Sequence, residues 1–202
     1  MVDAEGKRTL GAIFALGLNG RLVRYGRLAE TLGLRVEELE SRLESLGREG
    51  LVARESGAVS LTDEGRRGIR VVFIGGGFEV VHIGHVYTIS RAKRLGDVLV
   101  AVVARDSTIR KRKGREPITK ERQRVALLSS LRQVDAAILG GKGNIYDMLE
   151  KVRPDIVALG YDQHHREEEI SKEAARRGLR VSVVRLGTPD PSVKTTRLLR
   201  EI

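Results

Sequence analysis

Two imidazoles three residues apart, His82 and His85, close the segment VVFIGGGFEVVHIGH and are the side chains of this sequence best placed to do chemistry. Once a helix has begun, residues three apart share a face, so both rings would project near its first turn. A helix start also presents free backbone NH groups and the positive end of its dipole, which favour polyanions. Two imidazoles there add donors that can follow charge as it moves onto a leaving group. The spacing admits a metal pair as well, but HxxH lacks the glutamate of HExxH and no third ligand follows nearby.

The residues before the histidines would position them. The run 71–74 is short, apolar and rich in β-branched residues, which suits a strand covered on both faces. Gly75, Gly76 and Gly77 then let the chain turn sharply and approach a ligand without a Cβ in the way. In its wording, GxFxxxHxGH from Gly76 to His85, the stretch resembles the signature of the HxGH nucleotidyltransferases, the cytidylyltransferase-like superfamily. Further stretches fit in order. ARDSTIRKRKGREPITKERQRVALL resembles that family's mobile basic loop, with Arg110, Lys111 and Lys113 ahead of Pro117, and with Glu121 and Arg122 opening a helix over 119–132. VALGYDQ, 157–163, is similar to the segment at a strand end that contacts ribose and base. SVKTTRLL, 192–199, resembles the segment that holds the triphosphate. The resemblance spans about 70–202, and its wording looks closest to the archaeal FAD synthetases.

What the resemblance implies is nucleotidyl transfer from ATP or CTP to a phosphorylated acceptor, FMN above others, with loss of pyrophosphate. His82, His85 and Lys113 are then the candidate catalytic residues. Gly76, Gly77, Phe78, Ile83, Gly84, Gly160 and Asp162 join the two histidines as nucleotide contacts, with Thr195, Thr196 and Arg197 gripping the triphosphate. Mg²⁺ is expected to arrive with the nucleotide and bridge phosphate oxygens rather than occupy a protein cage. Two departures stand out: Gly77 and Glu79 occupy positions where many members carry Thr and Asp, and His164 and His165 match no family residue. A CTP-dependent cytidylyltransferase acting on a small phosphorylated alcohol such as glycerol phosphate shares the same frame.

The rest of the second half alternates strand and helix. Runs at 97–104, 136–139, 156–159 and 181–184 read as strands separated by helical sequence. They imply an α/β fold with a doubly wound, mainly parallel sheet. In such sheets ligands bind beyond the carboxyl ends of the strands.

Residues 1–68 read differently and form an expected first domain, with 69–202 the second. Apolar positions at helical spacing in 6–18, a short helix ending at Gly33 and the stripe Val36, Leu39, Leu43 and Leu46 give three helices. LVAR and AVSLT, joined at Ser56 and Gly57, suit a hairpin, and 63–68 reads as a polar linker. Three helices and a hairpin resemble a winged helix-turn-helix. The third helix, however, offers Glu37, Glu38, Glu40 and Glu44 against Arg35, Arg42 and Arg48, which disfavours DNA and favours dimerisation. A ligand-sensing transcription regulator is the competing reading of this fusion.

Composition bounds the whole. With 37 Lys plus Arg against 27 Asp plus Glu the chain carries a formal charge of +10. Residues 1–68 are balanced at 11 of each, which leaves 26 basic against 16 acidic residues from 69 onward, beside the histidines. Such a field draws in nucleotides and phosphorylated substrates. No cysteine is present, which excludes disulfides and thiolate metal sites and makes a cytoplasmic location the expectation. No run is apolar enough for a membrane helix, and abundant charge with few thermolabile residues hints at a thermophilic source.

Overall fold

The computed structural model describes residues 2–188 of the 202, so Thr195, Thr196 and Arg197 lie outside the described residues. The chain divides into two compact units, 1–70 and 71–202.

In the first unit three helices, α1 (Ala4–Gly17), α2 (Tyr25–Leu32) and α3 (Val36–Arg48), accompany an antiparallel sheet of β1 (Val23–Arg24), β2 (Val52–Glu55) and β3 (Ala58–Leu61) in the order β1-β3-β2. Asp3 caps α1 by accepting from the Gly6 NH, and Gly33 ends α2 in the left-handed region at φ 68°. The expected apolar stripe of α3 is buried at Leu39, Leu43 and Leu46, while Val36, at the open first turn, stays exposed. Ser56 and Gly57 both take positive φ, the two-residue turn whose twist matches a hairpin. The two-residue β1 had no visible pattern in the sequence.

Residues 63–67, expected as linker, are instead helix α4 (Asp63–Arg67). The Thr62 hydroxyl caps it by accepting from the Gly65 NH. Asp63 and Glu64 sit at the positive end of its dipole and Arg66 and Arg67 at the negative end.

The second unit is built on five parallel strands: β4 (Val71–Gly76), β5 (Val98–Val103), β6 (Ala136–Leu139), β7 (Ile156–Leu159) and β8 (Ser182–Arg185), in the order β6-β5-β4-β7-β8. Helices α5 (Ile83–Lys93), α6 (Asp106–Lys113), α7 (Glu121–Ser129), α8 (Ile145–Val152) and α9 (Glu167–Arg176) connect them. All six residues of β5 are buried, as a strand covered on both faces requires. Val72, Ile74, Leu99, Ala101 and Val103 pack with Ile89 and Ala92 of α5 and Leu128 of α7. The alternate residues Val71, Phe73, Val98, Val100 and Val102 turn to the other face and are also buried. Two aspartates pin strand starts from outside the ladder: Asp135 accepts from the Leu99 NH at 2.6 Å and Asp155 from the Val71 NH at 2.7 Å.

Strand order reverses between β4 and β7, since the chain builds outward through β5 and β6 and then crosses to β7 and β8. The crevice at the carboxyl ends of β4 and β7 is therefore the switch point where doubly wound sheets take ligands. Among the described residues no helix is long and apolar enough to cross a membrane.

Two glycines of the first unit give opposite expectations. A Cβ at Gly65 would lie 1.9 Å from the Leu51 carbonyl oxygen, whereas one at Gly26 in α2 would meet nothing within 4 Å. Gly65→Ala should cost more than ~3 kcal/mol through backbone displacement, and Gly26→Ala should stabilise by roughly 0.5–1 kcal/mol. Urea unfolding of the two variants measures both signs.

Candidate functional site

The end of β4 runs into a turn that only a particular set of residues can make. Phe78 adopts φ 52°, a left-handed conformation that a bulky side chain takes at a cost, yet its ring is buried. The ring lies so near Gly76 that a Cβ there would come within 2.9 Å of two ring carbons, which explains the glycine. The carbonyls of the turn are held from two sides. Gln163, after β7, donates to the Gly75 oxygen at 2.7 Å, and Arg124 of α7 donates to the Gly77 oxygen at 2.6 Å.

Arg124 was not visible as a site residue in the sequence, where it reads as one cation of a basic helix. In the fold it is 1% exposed and donates also to the Ala104 oxygen, the Thr119 oxygen and the Asp106 carboxylate. A buried guanidinium is tolerated only when its charge is paired and its donors are used, and here three carbonyls and a carboxylate do so.

Beyond the turn, His82 takes the N-cap position of α5 with extended backbone, and His85 lies in the first turn, its NH bonded to the His82 oxygen at 2.9 Å. The His82 side chain makes no cap bond to the helix, so the ring is left to face the cleft. The ring centroids of His82 and His85 are 4.0 Å apart, and Phe78 packs on His85 at 5.3 Å. Burial pushes the His85 imidazole down to about 4, helped by the neighbouring His82 and opposed by Asp162. Burial also lowers His82, again against Asp162. Both rings are consequently neutral near pH 7, each with one NH to donate and one nitrogen to accept.

These groups line a cleft of about 300 Å³. Of the residues expected from the sequence, Gly76, Gly77, Phe78, His82, Gly84, His85, Lys113, Gly160 and Asp162 all line it. Ile83 does not: it is 61% exposed, on the outward side of the first turn. The wall also includes Tyr161 and Gln163 of the GYDQ segment expected to meet ribose and base, His164 beside it, and Thr88 and Thr188, for which the sequence carried no signal. A wider, more open basin of about 650 Å³ lies around Arg105, Arg110, Lys120, Arg122 and Lys142 and shares no residue with the cleft. It has neither histidine nor glycine turn, and its two carboxylates, Asp106 and Glu121, are taken up by Arg124 and Arg105. The enclosed cleft with its convergent polar groups is therefore the candidate site.

The basic run differs from the expected loop. Residues 106–113 form α6, anchored by the buried Ile109 and ended by Gly114 at φ 65°. Lys113, the last helical residue, reaches back to the cleft and places its ammonium 2.5 Å from a Glu79 carboxylate oxygen. Arg115 grips the same carboxylate at 2.7 and 3.2 Å, and the Thr119 hydroxyl donates to the Glu79 backbone oxygen. Burial would raise the Glu79 carboxyl, but the hydrogen bonds from Arg115 and Lys113 outweigh it and hold the group below its usual range. Among the described residues no group of three or more His, Cys, Asp or Glu could hold a metal ion.

Two expectations follow from this geometry. Because His85 titrates near 4 when folded and near 6.5 when unfolded, the unfolded chain binds more protons between those values, so stability is full above pH 6.5 and falls as the pH drops toward 4. Denaturant unfolding at pH 7.5 and 4.5 should show the wild type losing roughly 2–3 kcal/mol more than His85→Gln. Gly76→Ala should push the Phe78 ring against His85, with a stability loss of ~1–3 kcal/mol readable by calorimetry.

Known proteins can be set beside this geometry. Residues 73–201 match the cytidylyltransferase-like family. The FAD synthase of Aciduliprofundum boonei is 49% identical over 115 residues, 57% of this chain and 76% of that protein. The FAD synthase of Pyrococcus abyssi is 38% identical over 141 residues, 68% of this chain and 95% of that protein. Among solved structures, a lipopolysaccharide core biosynthesis protein from Thermoplasma volcanium superposes with a TM-score of 0.59 at 43% identity, over 61% of this chain and 100% of that one. A glycine turn, a histidine pair and a five-stranded parallel sheet thus meet a match over most of the second unit, and the chain belongs to the cytidylyltransferase-like family.

Proposed function

We propose that the protein is an FAD synthase, transferring the adenylyl group of ATP to FMN with release of pyrophosphate. The observation that carries this reading is the pair of imidazoles 4.0 Å apart at the mouth of α5, beside the glycine turn, in a chain whose matched 115 and 141 residues are 49% and 38% identical to two FAD synthases. An oxygen of the FMN phosphate attacks the α-phosphorus of ATP and the bond to the bridging oxygen of pyrophosphate breaks in line. The protein has to align the reactants and stabilise charge as it moves to the leaving group. His82 and His85 donate to the α and β phosphates, and the dipole of α5 favours the same charge. A bound polyanion raises the affinity of both rings for protons, opposing the burial that keeps them neutral beforehand. Lys113 lies over the β and γ groups, and Gly160 and Asp162 face ribose or base.

Thr195, Thr196 and Arg197 complete the triphosphate grip in this reading. Mg²⁺ brought with the nucleotide would supply neutralisation of phosphate charge. Of the carboxylates lining the cleft among the described residues, Glu79 is engaged by Lys113 and Arg115 and Asp162 is read toward ribose or base, so such an ion would be held mainly by phosphate oxygens.

The first unit is read as a winged-helix module, with β2 and β3 as the wing. Glu37, Glu38, Glu40 and Glu44 are exposed on α3, where a duplex-reading helix needs cations, which favours contact with protein.

Incubation with ATP or CTP, Mg²⁺ and either FMN or glycerol phosphate, scored by product mass, tests the assignment. FAD from ATP and FMN is the expected product, and His85→Ala should slow its formation about a hundredfold. A cytidylyl product alone, or a loss below tenfold in His85→Ala, would overturn it.

A further inference from the structure

Glu79 stands out among the residues around the cleft, because its side chain is wholly shielded from solvent although it is a carboxylate beside a site for a polyanion. A negative charge there repels phosphate, so on electrostatic grounds alone the site would do better without it. Its partners show what it does instead. Lys113 approaches one carboxylate oxygen at 2.5 Å, while Arg115 reaches the other at 2.7 Å and spans across at 3.2 Å. Both cations are 38% exposed, and Lys113, which lines the cleft, retains donors for another acceptor there, while Arg115 also donates to the Glu116 carbonyl. Lys113 ends α6 immediately before the left-handed Gly114, where a four-carbon stem would otherwise sample many rotamers.

We infer that Glu79 is a positioning residue: it fixes the Lys113 ammonium, with Arg115 as the second clasp, at the cleft wall before the nucleotide arrives. This rests on the nucleotidyl-transfer reading of the same cleft. The pairing leaves Lys113 with NH donors to spare, since an ammonium has three. The phosphates then meet a cation already ordered, and the side-chain entropy of ordering it has been spent during folding. The Thr119 hydroxyl on the Glu79 backbone oxygen holds the carboxylate's own backbone, so the clasp is referenced to the glycine turn.

The sign of a substitution separates positioning from mere charge. Glu79→Gln keeps the size but removes the charge and turns one of the two acceptor oxygens into an NH2 donor, which cannot accept from Lys113 or Arg115. The two cations it releases are 38% exposed and so can be solvated. Were Glu79 only a nearby charge, Glu79→Gln would bind polyanions more tightly. The inference demands the reverse.

The experiment is a double-mutant cycle of Glu79→Gln and Lys113→Met in the full chain, read by calorimetric binding of Mg·ATP and of inorganic tripolyphosphate and by kcat and KM with FMN. Expected are losses of about tenfold in tripolyphosphate affinity for Lys113→Met and about three- to tenfold for Glu79→Gln, with the double variant no worse than Lys113→Met alone. Glu79→Asp, which keeps the charge but shortens the reach, should fall between wild type and Glu79→Gln. Thermal midpoints, a purely structural readout, need not follow that pattern. Tighter binding by Glu79→Gln, or losses that multiply in the double variant, would overturn the inference. Absence of FAD with the coupling intact would sink the FAD synthase reading alone, and FAD formation with multiplying losses would sink the positioning role alone.

Discussion

The left-handed turn at Phe78 is the constraint on which the site depends. It costs conformational energy and is kept because its surroundings determine it from several directions: the Phe78 ring fills the space over Gly76, Gln163 holds the Gly75 carbonyl, and Arg124 holds that of Gly77. Each of these anchors comes from a different element. Gln163 follows β7, Arg124 lies on α7, and the turn ends β4. The sheet order, with its reversal between β4 and β7, is what brings Gln163 beside the turn, so the topology and the local strain support one another.

From that turn the chemistry follows with little further machinery. The chain leaves it at the angle that makes His82 the cap of α5, and the spacing of three brings His85 against it. Burial then sets both rings neutral, the state in which an imidazole can donate to a phosphate without first being locked in an ion pair. The cationic part is kept apart, on α6 and the residues after it, and tied back by Glu79. Neutral donors on one wall and a held ammonium on another suit a reaction in which charge grows on a departing pyrophosphate.

Much of this was legible from residues alone, and the reasons are physical. The strands at 71–76, 98–103, 136–139 and 156–159 are compact apolar runs, which a buried parallel sheet requires, and the histidine spacing speaks directly of a helix mouth. What the sequence hid were features that depend on distant partners. Arg124 has the same local signature as its exposed neighbour Arg122, and only the carbonyls of three separate segments make it a buried hub. The run RKRKGR reads as a solvated loop because it is uniformly charged and its one apolar anchor, Ile109, precedes it; Gly114 at φ 65° ends the helix it belongs to. Helix α4 is five residues long and depends on a single hydroxyl cap at Thr62, so its sequence reads as a linker. Ile83, carried along with its motif, faces outward because a helix shows only part of each turn to a ligand.

The central claim is that the paired imidazoles at the mouth of α5 receive a nucleotide's phosphates. Histidine-labelled NMR of the intact chain, titrated with Mg·ATP near neutral pH, reads it most directly. The account predicts that the ring nitrogen signals of His82 and His85 move together and saturably, and that the His85 ring gains proton affinity in the complex. Rings of His82 and His85 that stay unperturbed at saturating nucleotide would contradict it.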